Sequence, residues 1–216
     1  ARMVAMRSEE EDMLDDRLAR EKLARAAARL NARCGLPALI LLTDDERLAD
    51  PLAAARALPK GAMVIIRARQ SAHRAHLAEA LGAIAHARDL ILLIADDPAL
   101  AIRVRAHGVH FPEAHGGRVS YWRARRPGWL ITSSAHSLWA CARTRYADAI
   151  LLGPVFATCS HPNAAALGPI RTRLIARSVK KPIYALGGIG SRTIMQLENA
   201  ELAGVAAIGA LASPSP

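Results

Sequence analysis

Several residue groups in this chain have the types and spacing needed to act on a phosphorylated small molecule. Arg67 and Arg69 lie two apart at the end of an apolar run. Strand alternation puts them on one face, where two guanidinium forks would grip a diphosphate. The competing reading pairs them with nearby carboxylates such as Asp97. Asp96-Asp97 follows a second apolar run. Before Pro98 such a pair can serve as a helix N-cap. Ser134 and His136 close a third run, and a histidine there is either a proton shuttle or a structural hydrogen-bonder. Thr158 and Ser160 bring hydroxyls to a loop after Gly153-Pro154. Gly187-Gly188 and Gly209 offer bare backbone N–H groups at strand ends, a natural anion seat.

The elements that must position these groups alternate. Short apolar runs of strand type fall at Ala38–Leu42, Met63–Arg67, Leu90–Ala95, Gly108–His110, Trp129–Ser133, Ala149–Leu152, Ile183–Leu186 and Gly204–Ile208. Helical patterns fall at Pro51–Ala57, Arg74–Ala87, Pro98–Ala106, Ser120–Arg125, Leu138–Arg145, Pro169–Ser178 and Ser191–Glu198. Near-continuous apolar strands joined by helices imply a parallel sheet covered on both faces. Eight of them favour a closed (β/α)8 TIM barrel over an open sheet. In such a barrel the chemistry sits at the C-terminal strand ends, where all the groups above fall.

Residues 1–36 read as an N-terminal tail and helix, and 37–216 as the barrel. Residues 1–8 are expected to be disordered. From Glu9 to Leu30 the pattern is helical, with Leu14, Leu18, Leu23, Ala27 and Leu30 near one face. This helix either closes the barrel floor or packs on a partner chain. Ser213–Pro216 is expected to be irregular.

Lys+Arg of 29 against Asp+Glu of 19 gives +10, which suits anionic ligands or an arginine-rich solvated surface. Aromatic residues make up 4%, poor for stacking on single strands, and no nucleic-acid motif is present, so nucleic acid is not an expected partner. No window approaches about 18 uninterrupted apolar residues, so no membrane span is expected. The charged N-terminus lacks a signal-peptide core. Cys34, Cys141 and Cys159 are odd in number and far apart, which argues against disulfides and zinc and for a reducing cytoplasm.

Two blocks carry a resemblance. G-P-V-F-A-T-C-S-H over Gly153–His161 and P-I-Y-A-L-G-G-I over Pro182–Ile189 resemble the thiamine phosphate synthase/TenI family. The likeness runs over about Leu39 to Leu211. It implies a barrel that binds a thiazole phosphate at Gly187, Gly188 and Gly209, with Thr158 and Ser160 on the thiazole phosphate or on pyrophosphate. It also implies Arg67 on a pyrimidine diphosphate, Mg2+ on Asp97, and Ser134 and His136 as catalytic groups. The chain departs from the synthase pattern at Ile65, Arg69, His115 and His161. The first three stand where synthases carry glutamine, lysine and a second metal aspartate. His161 stands where they carry lysine.

These losses put a TenI-like thiazole tautomerase first, because it needs only a phosphate cradle and a proton shuttle. A divergent synthase, coupling hydroxymethylpyrimidine diphosphate to thiazole phosphate with Mg2+, comes next. A non-catalytic regulator that binds thiazole or thiamine phosphate comes third. Phosphorylated thiazoles and pyrimidines are the expected partners, with self-association into a homo-oligomer left open.

Overall fold

The eight strands close on themselves in chain order. The computed structural model describes residues 2–31, 34–68, 71–158 and 165–212. The strands are β1 Leu39–Leu42, β2 Met63–Ile66, β3 Ile91–Ala95, β4 Gly108–Phe111, β5 Leu130–Ala135, β6 Ala149–Leu152, β7 Ile183–Leu186 and β8 Gly204–Ala207. Every neighbouring pair is parallel, and β8 pairs with β1. Most are four-residue apolar segments buried on both faces, so their side chains can face only the barrel interior or the helix layer.

The outer helices are α1 Arg2–Leu30, α2 Pro51–Ala57, α3 Ser71–Arg88, α4 Pro98–Arg103, α5 Arg118–Arg125, α6 Leu138–Arg143 and α7 Gly168–Ser178. Local chemistry starts several of them. Asp50 precedes Pro51 and accepts from Ala53 N at 2.8 Å; Ser137 accepts from Ala140 N at 3.1 Å. An N-cap oxygen satisfies a backbone donor that the first helical turn leaves open.

The structure differs from the sequence expectation in three places. The helix expected over Ser191–Glu198 is a 3-10 turn, Thr193–Leu197. Thr193 Oγ1 bonds Gly190 N and Gly188 O, which ties the segment to the preceding loop and leaves it one turn long. A second 3-10 turn, Gly209–Leu211, follows β8. Residues expected to be disordered are helical from Arg2, a run of good helix formers.

The apolar stripe of α1 is buried only towards its end. Leu23 and Ala27 are fully buried, whereas Leu14 is 56% exposed. A helix of this length spans about 43 Å, longer than a wall of four-residue strands. It lies on the barrel flank, against β1, β8 and the 3-10 turns after β7 and β8, neither across the floor nor free. It fills the outer layer where those two strands are followed only by 3-10 turns. Arg20 donates to Ala212 O at 2.7 Å, and Asn31 to Leu36 O at 3.0 Å. Among the described residues no helix is long and apolar enough to cross a membrane. The expectations for Arg69, Cys159, Ser160, His161 and Ser213–Pro216 lie outside the described residues.

Candidate active site

A cavity of ≈620 Å3 opens at the C-terminal ends of the strands. Its walls follow the strand order.

At the β1 and β2 ends three guanidiniums line it: Arg47, Arg67 and Arg74. β2 stops at Ile66, so Arg67 sits just past the strand. Thr43 Oγ1 takes Arg67 N at 2.8 Å and donates to Arg67 O at 3.0 Å, which fixes the backbone there. The Arg67 side chain is bonded to Asp44, not to Asp97. Asp44 also accepts from Arg47 Nε at 3.1 Å and Nη2 at 2.7 Å. The Arg47 hydrogen bond, against some desolvation and with the charges of Arg47 and Arg67, holds the Asp44 carboxyl well below the usual carboxylate range. Arg74, from α3, donates to Ala68 O at 2.9 Å. Sequence reading missed Arg47 and Arg74; the D-x-x-R spacing of Asp44 and Arg47 was the available signal for the first.

At the β3 end the two aspartates separate. Asp97 caps α4, with Oδ1 accepting from Leu100 N at 2.9 Å and Oδ2 3.8 Å from Arg74 Nη1. Asp96, at φ +56°, faces the cavity. Its Oδ1 accepts from Arg118 at 2.8 Å, and its Oδ2 lies 2.8 Å from His115 Nδ1. The residue standing where synthases have a second metal aspartate thus holds Asp96. Glu113, in the 3-10 turn Glu113–His115 after β4, accepts from His136 N at 2.7 Å. No cluster of three metal-binding side chains exists among the described residues. Magnesium requires open carboxylate oxygens in near-octahedral array. Asp96, Asp97 and Glu113 all face the protein's own cations or N–H groups, so as arranged they do not fit it.

β4 and β5 build the cavity floor. His110 is directly opposite Thr132 in register, and both point inward with Ser134. His110 Nδ1 lies 2.9 Å from Thr132 Oγ1, and its Nε2 2.9 Å from Ser134 Oγ. Burial first, then the charge of Arg67, pushes the His110 pKa down to about 3, so the ring is neutral. His136 lines the cavity one step further out, with Nδ1 bonded to Gly153 O just past the end of β6.

Thr158 lines the β6 side, and Gly187, Gly188 and Gly209 the β7 and β8 ends. Gly187 and Gly188 have φ of +96° and +64°. A Cβ on Gly188 would lie 2.6 Å from Phe156 Cβ and 2.8 Å from Ala157 O. Glycine is required there both by backbone conformation and by the closeness of the 154–157 loop. Among the described residues the N–H groups of Gly188, Gly209 and Ala210 have no acceptor, so they are available to an anion. The structure therefore brings Arg67, Ser134, His136, Thr158, Gly187, Gly188 and Gly209 to one cavity, and turns Asp97 to its helix. Cys141 is buried behind β5, with its thiol pushed up to about 11, and takes no part.

The sequence pattern of the family described as thiamine monophosphate synthase matches residues 39–211. The chain belongs to that family. A relative from Aquifex aeolicus (strain VF5) is 34% identical over 161 residues, covering 71% of this chain and 86% of its own. The thiamine-phosphate synthase of Alcanivorax borkumensis is 30% identical over 177 residues, 79% of this chain and 80% of that one. A solved thiamine phosphate pyrophosphorylase from Pyrococcus furiosus superposes with a TM-score of 0.69 at 23% identity, over 79% of this chain and 84% of that chain. That likeness is one of fold, and this chain's fold is a (β/α)8 barrel with a helix ahead of β1.

Proposed function

We propose that this chain is a thiamine-phosphate synthase, joining hydroxymethylpyrimidine diphosphate to a thiazole phosphate in the cytoplasm. The observation that carries this is a single cavity with two separate groups of anion-binding groups. One is the backbone cradle of Gly188, Gly209 and Ala210; the other is Arg47, Arg67 and Arg74. Two phosphorylated reactants need two such seats, whereas isomerising one needs only one. The names of the relatives support the same reading.

In this reading the cradle, with Thr158, holds the thiazole phosphate and the guanidiniums hold the diphosphate. The bond between the pyrimidine methylene carbon and the diphosphate oxygen breaks, and its electron pair leaves with the diphosphate. The thiazole nitrogen then gives its pair to that carbon, forming the C–N bond and a thiazolium. No net proton moves. Guanidiniums pre-set by Asp44 stabilise the charge that develops on the leaving group without reorganising.

The tautomerase reading, ranked first on the sequence, keeps one specific support. The bond from His136 Nδ1 to Gly153 O leaves Nε2 as the ring nitrogen available to a substrate. A coupling assay decides between them. Purified protein is incubated with both phosphorylated heterocycles, with and without Mg2+, and thiamine phosphate is followed by fluorescence after oxidation. Product in proportion to enzyme supports the synthase. Its absence, from protein that still binds thiazole phosphate, leaves the tautomerase or a non-catalytic binder.

A further inference from the structure

We infer that His110 is a positioning residue that sets the Ser134 hydroxyl in one orientation at the cavity floor, with Thr132 anchoring the far side of the ring. The inference rests on the proposed coupling reaction for its kinetic readout, but on geometry for its substance.

The geometry follows from the β4–β5 register. His110 pairs with Thr132, so Thr132 and Ser134 flank the imidazole on the inward face. Both ring nitrogens are bonded, each at 2.9 Å, to the two hydroxyls. His110 is 5% exposed and Thr132 is fully buried. A neutral imidazole carries one N–H and one lone pair. If Nδ1–H donates to Thr132, Nε2 must accept from Ser134, whose oxygen lone pairs then face the substrate. In the other tautomer Nε2–H donates to Ser134, whose own O–H is then presented instead. Each state gives Ser134 a single sense of hydrogen bonding. Without the ring the hydroxyl would rotate among its staggered positions.

The same geometry excludes an acid–base role for His110. A relay of protons through the two bonds would leave one hydroxyl deprotonated and the other doubly protonated, so the ring does not carry protons between Thr132 and Ser134. Among the described residues Thr132 Oγ1 has no other partner. The triad therefore cannot supply or drain a proton.

The test is a double-mutant cycle on the coupling reaction, with hydroxymethylpyrimidine diphosphate and thiazole phosphate as substrates. His110→Phe keeps the ring volume and removes both bonds; His110→Gln keeps one polar contact and serves if the first variant fails to fold. Either is expected to lower kcat by about 10- to 100-fold, the scale of a misplaced reacting group, with KM for thiazole phosphate within about twofold. In a Ser134→Ala background the same change should cost almost nothing further, because the hydroxyl it positions is gone. Equal costs in both backgrounds would overturn the inference.

Ring-nitrogen NMR separates this claim from the coupling reaction itself. If the wild-type chain makes no thiamine phosphate, the proposed function falls, and the spectrum still decides the positioning role. A single neutral His110 tautomer whose Nε2 signal moves in Ser134→Ala supports it. A signal unmoved by that substitution refutes it.

Discussion

Arg67 and Asp44 face each other across the gap between β1 and β2, and Arg47 binds the same carboxylate from the other side. One carboxylate thus aligns two guanidiniums at the cavity wall. Lysine at position 67 would retain the charge but lose the planar fork that reaches both Asp44 and an anion. Arg67→Lys is expected to raise KM for the diphosphate substrate about tenfold, equivalent to about 1.4 kcal/mol, and to leave KM for thiazole phosphate unchanged. Steady-state kinetics with each substrate varied in turn checks this. Equal shifts in both constants would mean that the two anion seats are not separate.

The proposed phosphate cradle depends on glycine. Gly188→Ala forces a Cβ onto Phe156 and Ala157 in a left-handed backbone. The substitution is expected to destabilise the fold by about 2 kcal/mol or more and to abolish phosphate binding. Urea unfolding and calorimetry with thiazole phosphate measure the two effects.

His136 separates the two readings of the site. General acid–base catalysis contributes about 100- to 10,000-fold. Coupling requires no such transfer, so His136→Ala should slow thiamine phosphate formation by less than about tenfold. A loss of a hundredfold or more would place proton transfer in the rate-limiting step and return the tautomerase chemistry to first place.

Burial of His110 makes stability depend on pH. Its pKa falls from 6.5 in the ordinary case to about 3 in the fold. Between those values the unfolded chain binds a proton that the native state refuses, so stability present above pH 6.5 is lost as pH falls towards 3. Each unit of the gap is worth about 1.4 kcal/mol. Asp44, with its pKa lowered from 3.8, adds a loss of the same sign only at the acid end. Urea midpoints from pH 7 to 4.5 should fall in the wild type and flatten in His110→Phe. Parallel slopes would show that another group carries the dependence.

Asp96 is held by two side chains, the Arg118 guanidinium and the His115 imidazole. Metal affinity should therefore be weak and should rise when one is removed. Arg118→Ala is expected to tighten Mn2+ binding about tenfold, read by water-proton relaxation. Unchanged affinity would mean that Asp96 is not the group that limits metal binding.

Much of this protein is determined by the sequence alone. The eight strands are short, apolar and mostly separated by helices, so local pattern and burial agree, and barrel closure follows from their number. The glycine turn after β7 was legible for the same reason, since Gly187 and Gly188 take positive φ where a Cβ would meet the 154–157 loop. Three things were decided by tertiary structure. Asp97 became a helix cap while its neighbour Asp96 took the cavity, because one left-handed residue at the end of β3 turns the two carboxylates apart. Arg47 and Arg74 joined Arg67 because loop and helix geometry, not strand alternation, brought them to the β1–β2 mouth. His110 met Ser134 through strand register, and register is a relation between segments that neither segment encodes on its own.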